Sequence, residues 1–216
     1  VYMDALAAGA DGIILLNRIK PHPAFRGEYE SGLYKMMAVG LGKQRGADVI
    51  HDRGTPQMGK TIRAVGEAVL EKAPILFGIA TVENAFDRAC RVEVLLRGEI
   101  TEREPALLTM ARERMPRIFF EKLDVLIVDQ VGKDISGTGM DAAVTFTFPE
   151  DSGLSREGRA RRIVVFDLSE ATHGNGVGLN HADISTRRAV EKVDREEGYP
   201  NLLTIGTTGG LPMYFD

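Results

Sequence analysis

The chain has 216 residues, of which 44% are hydrophobic and 27% charged, and these proportions exclude a disordered or fibrous protein. Its 27 basic and 31 acidic side chains give a formal net charge of −4, which argues against a nucleic-acid binder. The single cysteine, Cys90, excludes an internal disulfide and a CxxC metal site, and it favours a reducing, cytoplasmic setting. No apolar run approaches the roughly 20 residues that span a bilayer, so we expect no membrane partner.

The two ends of the chain favour a fragment of a longer protein. Residue 1 is Val1 rather than Met, and Val1 to Ala10 already resembles an alanine-rich helix. The last segment, Leu211 to Asp216, has no polar tail, whereas natural termini are usually polar and loosely held. We therefore expect that the first domain lacks its N-terminal part, and truncation of the second domain stays open.

Strand and helix signals alternate along the first half of the chain. The short apolar run Gly12 to Leu16 predicts a strand buried on both faces. Ser31 can cap a helix that continues to Val39, and Thr55-Pro56 opens a helix that ends at Ala73-Pro74. Two further strands are predicted at Ile75–Ala80 and Val92–Leu96.

The second half continues the alternation. Thr101 to Met115 predicts a charged helix, in which Thr101 and Glu104 have the spacing of a capping box. Strands are predicted at Leu123–Asp129 and Ile163–Leu168, and a final helix at Ala182–Glu197. This order favours an α/β fold of two layered domains, residues 1–99 and 100–216, which meet near Gly98-Glu99.

Three loops that follow predicted strands carry residues suited to chemistry, because open α/β sheets bind ligands at the carboxyl ends of their strands. The first loop, Asn17 to Gly27, contains His22 and Arg26. The second, Gly132 to Asp141, contains Lys133, and the third is His173 to Gly178. Neither glycine-rich loop matches a nucleotide-binding fingerprint, and tight turns alone can require their glycines.

Lys35 has unusual neighbours for a lysine in a helix. It lies between Leu33 and Met36-Met37, in a stretch with few other charges. Helix lysines are normally solvated, whereas a buried lysine amine is easily made reactive. The histidines offer no comparable signal, because none of them has the HExxH spacing of a zinc hydrolase; they are His22, His51, His173 and His181.

Taken together, the segments Asn17–His22, Glu30–Lys35 and Gly40–Lys43, with His51, resemble the lactate racemase family. Its members are 2-hydroxy-acid racemases and epimerases that depend on a nickel-pincer nucleotide. In that family a Pro-His pair follows a strand, and a histidine lies sixteen residues beyond a lysine, as His51 does beyond Lys35. The resemblance is specific only in about the first 50 residues, and it looks closest to an uncharacterised branch of the family.

The resemblance implies two α/β domains with the active site in the cleft between them. It also implies that Lys35 tethers the cofactor as a thioamide, that His51 ligates the nickel, and that His22 is one of two acid/base histidines. The cofactor is nickel pyridinium-3,5-bisthiocarboxylic acid mononucleotide. The second histidine, and the arginine that grips the substrate carboxylate, are expected in missing N-terminal sequence. Arg26 and Lys133 are weaker candidates for substrate contact.

We therefore expect an isomerase in which the C2 hydrogen of a 2-hydroxy acid leaves as hydride while a histidine takes the hydroxyl proton. The expected partners are the small 2-hydroxy acid and the enzymes that make the cofactor, and the fragment alone is expected to be inactive. Two alternatives stay open. One is a phosphate- or nucleotide-binding α/β enzyme without nickel, and the other is a non-catalytic binding module.

Overall fold

The computed structural model describes residues 1–148, 154 and 160–205. It divides the chain into two compact units, Val1–Arg117 and Ile118–Asp216. Each unit combines helices with a three-stranded sheet, which confirms the mixed α/β class. The final segment considered above, 211–216, lies outside the described residues. Among the described helices, none has the length and apolar character needed to cross a bilayer.

The first unit contains a sheet in the order β1-β2-β3. Strand β1 pairs in parallel with β2, which forms an antiparallel hairpin with β3. The predicted strands and the helices predicted at Ser31, Thr55 and Thr101 are confirmed. The elements are α1 (Ala5–Ala8), β1 (Ile13–Arg18), α2 (Leu33–Lys35), a π-helical turn (Met36–Gly40), α3 (Lys43–His51), α4 (Thr55–Lys72), β2 (Ile75–Glu83), β3 (Ala89–Leu96) and α5 (Ile100–Arg114).

One face of this sheet packs against the helices. Leu15 of β1 shares a buried cluster with Leu33 of α2 and Ile62 of α4, and burying each such side chain contributes about 2 kcal/mol. On the opposite face, Ile14 and Leu16 are 53% and 60% exposed. The prediction that β1 is buried on both faces is therefore wrong, because the helices of this core cover one face.

Helix α5 belongs to the first unit, contrary to the joint predicted near Gly98-Glu99. Its inward residues Leu107, Leu108 and Ala111 are part of the first unit's buried core. The two compact units consequently divide after Arg117. The predicted capping box is also wrong, because α5 begins without a side-chain cap hydrogen bond and Glu104 bonds to α2 instead.

The second unit contains a parallel sheet in the order β4-β5-β6. The strands predicted at Leu123 and Ile163 are confirmed. The described elements are β4 (Leu123–Val131), α6 (Ala142–Thr145), β5 (Ala160–Leu168), two 3-10 turns (Glu170–Thr172 and Leu179–His181), β6 (Ile184–Ser185), α7 (Arg187–Glu191) and α8 (Arg195–Ile205). Its separate buried core includes Val131, Ile163, Val165 and Leu179.

The predicted helix Ala182–Glu197 is wrong. The Asp183 N–H donates a hydrogen bond to the Ile163 carbonyl, so the chain joins the sheet as β6 before any helix begins. Thr186 then caps α7 by accepting a hydrogen bond from the Ala189 N–H at 3.2 Å. A long-range strand pairing has replaced the first part of the predicted helix.

Candidate functional site

The loop after β1 holds His22 at the carboxyl end of that strand. Two backbone hydrogen bonds between Lys20 and Ser31, of 2.9 and 3.1 Å, close the loop. Inside it, the carboxylate of Glu30 has 0% exposure and accepts hydrogen bonds from the N–H groups of His22 at 2.6 Å and Gly27 at 3.0 Å. Glu30 therefore supplies the acceptors that this irregular backbone needs.

Arg112 of α5 compensates the buried charge of Glu30. Its guanidinium donates a hydrogen bond of 2.6 Å to Glu30 Oε1. A buried carboxylate without a partner is strongly unfavourable, so this ion pair ties the His22 loop to α5. The pair could not be predicted from the sequence, because 82 residues separate its two members.

His22 is buried and uncharged at neutral pH. Its exposed fraction is 9%, and burial lowers the pKa of its imidazole well below the ordinary 6.5. The charges of Lys35 and His51 lower that pKa further. Nδ1 accepts a hydrogen bond of 3.1 Å from the Ala24 N–H, so the neutral ring carries its hydrogen on Nε2.

Lys35 lies where an α-helical turn changes into a π-helical turn. It is the last residue of α2, and in the next turn the Leu41 N–H donates to the Met36 carbonyl, five residues earlier. Such π-helical turns are rare and frequently occur at functional sites. The lysine itself is half-buried. The predicted helix is thus present with an irregularity that could not be predicted from the sequence, but the predicted cap at Ser31 is wrong, because the N-cap is Gly32 and no side chain caps the helix.

His51 is the last residue of α3 and is half-buried. Burial is the main cause that lowers its pKa below 6.5, and the charge of Lys35 lowers it further. Asp48 and Asp52 act in the opposite direction. The net lowering leaves a neutral imidazole at pH 7, whose lone pair is available to a metal ion.

The charge of Lys35 links the three residues singled out in the sequence. It lowers the pKa of both His22 and His51, and His51 in turn acts on His22. The loop after β1, α2 and α3 thus contribute side chains to one electrostatic neighbourhood within the first unit. We call these three residues the His-Lys-His cluster.

The donor set of this cluster fits the group that the resemblance implies. A lysine amine can carry a covalent tether, and a neutral imidazole suits a square-planar nickel ion. Within the described ranges, no group of three or more His, Cys, Asp or Glu side chains could hold a metal alone. The implied nickel site needs only one protein ligand, because the cofactor supplies the others.

The two weaker candidates both have local hydrogen bonds. Arg26 donates to the carbonyls of His22 at 2.5 Å and Phe25 at 2.9 Å, and its charge contributes to lowering the pKa of His22. Lys133, in the second unit, donates to the Gly137 carbonyl at 2.8 Å, and burial lowers the pKa of its amine. Arg26 therefore stabilises the His22 loop, and Lys133 stabilises its own loop.

The two glycine loops of the second unit pack against each other. Gly139 has a φ of +78°, and a Cβ there would overlap the Val177 carbonyl oxygen and lie 2.7 Å from the Gly178 Cα. Gly178 has a φ of +112° and lies equally close to Gly139. Backbone packing and left-handed conformations therefore account for these glycines without a bound phosphate.

Two polar side chains that hold the start of α2 were missed by the sequence analysis. Asn17 Nδ2 donates to the Gly32 carbonyl at 2.8 Å, and Glu104 accepts from the Tyr34 N–H at 3.1 Å. Glu104 did leave a signal, because it lies on the same helical face as the apolar residues Leu108 and Ala111. The contact of Asn17 left none.

Comparison of the chain with protein-family models, with curated proteins and with solved structures gave no match. The interpretation of the His-Lys-His cluster therefore rests on the electrostatic effect of Lys35 on the two histidines, together with the resemblance of its sequence motif.

Proposed function

We propose that this protein is a racemase or epimerase of a 2-hydroxy acid that uses a nickel-pincer nucleotide held by Lys35 and His51. The observation that supports this proposal is the placement of Lys35 at the junction of α2 with a π-helical turn, from which its charge lowers the pKa of both His22 and His51. The three side chains come from separate elements, yet they influence one another electrostatically. They are also the residues that the resemblance assigns to one reaction.

In this proposal each protein residue has one task. When bound, the cofactor supplies an electrophilic carbon that accepts the C2 hydrogen of the substrate as hydride. Lys35 holds the cofactor covalently through its amine, and neutral His51 offers a nitrogen lone pair to the nickel. His22 is the acid/base residue that accepts and returns the proton of the substrate hydroxyl group.

The hydrogen bond to Ala24 constrains how His22 performs that task. While Nδ1 accepts from the Ala24 N–H, Nε2 carries a hydrogen and can donate a hydrogen bond to the substrate oxygen. It cannot accept the hydroxyl proton in that form. We propose that the hydrogen bond from the Ala24 N–H breaks and that the imidazole ring rotates, so that the nitrogen without a hydrogen faces the substrate.

The remaining parts of the proposal follow the resemblance alone. They are substrate contacts by Arg26 and Lys133, cofactor-making enzymes as partners, and a cytoplasmic location.

Peptide mapping and nickel analysis test the proposal directly. We expect protein produced together with the cofactor-making enzymes to contain nickel and to carry a covalent adduct on the Lys35 peptide. Lys35→Arg keeps the positive charge but cannot form the thioamide, so the adduct and most of the nickel should be lost. Lys43→Arg, at an exposed lysine of α3, is the matched control and should retain both.

The contrary outcomes separate the alternatives. Unmodified Lys35 in nickel-loaded protein contradicts the tether. A nickel-free protein whose unfolding temperature rises with added inorganic phosphate favours the phosphate-binding enzyme. A protein with neither property favours the non-catalytic binding module.

A further inference from the structure

Glu104 is a buried carboxyl group that the proposed function does not use. Its exposed fraction is 1%. Oε2 accepts a hydrogen bond of 3.1 Å from the Tyr34 N–H, whereas Oε1 has no hydrogen-bond partner among the described residues. Burying an unpaired carboxyl oxygen is costly, so the position of this group calls for a physical reason.

The carboxyl group fits closely against the start of α2. A Cβ on Gly32 would overlap Glu104 Oε1 and lie 2.7 Å from Glu104 Cδ, so only a glycine leaves room for this approach. Gly32 is the N-cap of α2 and provides no side-chain hydrogen bond. Glu104 therefore supplies, from a distant helix, the acceptor that a capping side chain would normally provide.

Thr101, one turn before Glu104 in α5, forms hydrogen bonds with two tyrosine side chains, one before α2 and one within it. Its hydroxyl group lies 2.8 Å from the Tyr34 hydroxyl oxygen, and its carbonyl accepts a hydrogen bond of 2.8 Å from Tyr29. The two tyrosine rings stack with their centroids 4.0 Å apart. The first two turns of α5 thus fix both the backbone and the ring of Tyr34, the residue before Lys35.

We propose that Glu104 is a positioning residue for Lys35, which fixes through the Tyr34 N–H the helical turn from which the lysine side chain extends. The importance of Lys35 rests on the proposed function. The hold on the turn rests on the contacts of Glu104, Thr101 and Asn17 alone.

The protonation state of Glu104 changes the strength of the hydrogen bond that it accepts from the Tyr34 N–H. Burial raises the pKa of its carboxyl group to about 7, although the polar backbone N–H groups of Tyr34 and Leu33 oppose the increase. Of the residues that approach its carboxyl group, Tyr34 of α2 is titratable, whereas Gly32 has no side chain. An ionised carboxylate accepts a stronger hydrogen bond than the acid does, and the bond from the Tyr34 N–H itself lowers the pKa of Glu104. In a local opening that breaks this bond while Glu104 stays buried, the turn is therefore held most firmly above that pKa.

Amide hydrogen exchange at Tyr34 in the cofactor-free protein tests the proposal. Glu104→Ala removes the acceptor, and Glu104→Gln keeps a neutral one. At a pH above the pKa of Glu104, protection of the Tyr34 N–H should fall about tenfold or more in Glu104→Ala and by less in Glu104→Gln. Protection within α4 should not change.

The pH profile provides a readout that a purely structural role would not move. Once the intrinsic exchange rate is corrected for, wild-type protection at Tyr34 should fall as the pH decreases through about 7. This step should be missing in Glu104→Gln. Glu102→Gln, at an exposed position of the same helix, is the matched control and should keep the wild-type step.

The outcomes separate this inference from the proposed function. Unchanged Tyr34 protection in both Glu104 variants overturns the positioning role, and so does an equal loss of protection throughout α4 and β2. If protection responds as expected but wild-type Lys35 never acquires an adduct, the tether fails while the hold of Glu104 on the turn stands. If both hold, Glu104→Ala should also lower the fraction of Lys35 that carries the adduct.

Discussion

The positive charge of Lys35 lowers the pKa of two imidazoles. The electrostatic coupling within the His-Lys-His cluster can therefore be measured without a cofactor. Replacing Lys35 by Met removes a positive charge that disfavours the protonated histidines. The pKa of His22 and the pKa of His51 should therefore both rise. The measurement is an NMR titration of the histidine Hε1 resonances.

Lys43→Met is the matched control for this titration. Lys43 is exposed and lies 3.8 Å from Asp4, and it does not contribute to the pKa of either histidine. It should leave both midpoints unchanged. If Lys35→Met also leaves them unchanged, the three residues do not form one electrostatic neighbourhood, and the proposed function loses its support.

The candidate residues were easier to predict than their partners. Lys35 stands out because its sequence neighbours are apolar, and His22 because it follows a strand. The residues that support them are distant in sequence. Glu104 lies 70 residues after Tyr34, whose N–H it binds, and Arg112 lies 82 residues after its partner Glu30. Local periodicity can mark Glu104 as facing inward, but it cannot identify a partner so far away along the chain.

At the scale of elements, α5 is the support for both parts of the site. Its Arg112 pairs with Glu30 under the His22 loop, and its first two turns hold α2. Replacing Arg112 by Met would remove the closer of the two cations that pair with the buried Glu30 carboxylate, and Arg26 would remain at 3.6 Å. Since Arg112 is itself partly exposed, we expect a loss of about 2 kcal/mol in the free energy of unfolding, measured in urea.

Arg114→Met provides the comparison for this loss. Arg114 is exposed in the last turn of the same helix, and surface substitutions usually change stability by within about 0.5 kcal/mol. Equal stabilities of the Arg112 and Arg114 variants would show that the ion pair with Glu30 contributes nothing to the loop.

Helices and strands with a local signal in the sequence were predicted correctly, whereas those that depend on contacts with other elements were not. Helix α4 was predicted well because Thr55-Pro56 starts it and Met58, Ile62 and Val69 recur on one face. The segment after Ala182 was predicted wrongly because β6 forms by pairing with β5, which local periodicity cannot reveal. The π-helical turn after Lys35 is equally invisible, since it depends on the packing around it.

For the molecule as a whole, two buried groups of the first unit give stability opposite dependences on pH. Glu104 has a folded pKa of about 7, above its ordinary 4.5, so its contribution is complete below pH 4.5 and is lost as the pH rises to about 7. The loss amounts to about 3 kcal/mol. His22 has a lowered pKa, so its contribution is present above pH 6.5 and is lost as the pH falls.

Two single variants should therefore separate these opposing trends. Glu104→Gln removes the first contribution, so between pH 4.5 and 6.5 the free energy of unfolding should increase with pH, supported by the lowered pKa of both His22 and His51. His22→Gln should uncover the opposite trend, a decrease with rising pH that levels off near 7. The chain has no tryptophan, so unfolding in urea is followed by near-UV circular dichroism, to which the buried Tyr29 and Tyr34 contribute. Parallel pH profiles for the two variants would contradict the assignment of these buried groups, because only groups whose pKa values shift in opposite directions make the profiles diverge.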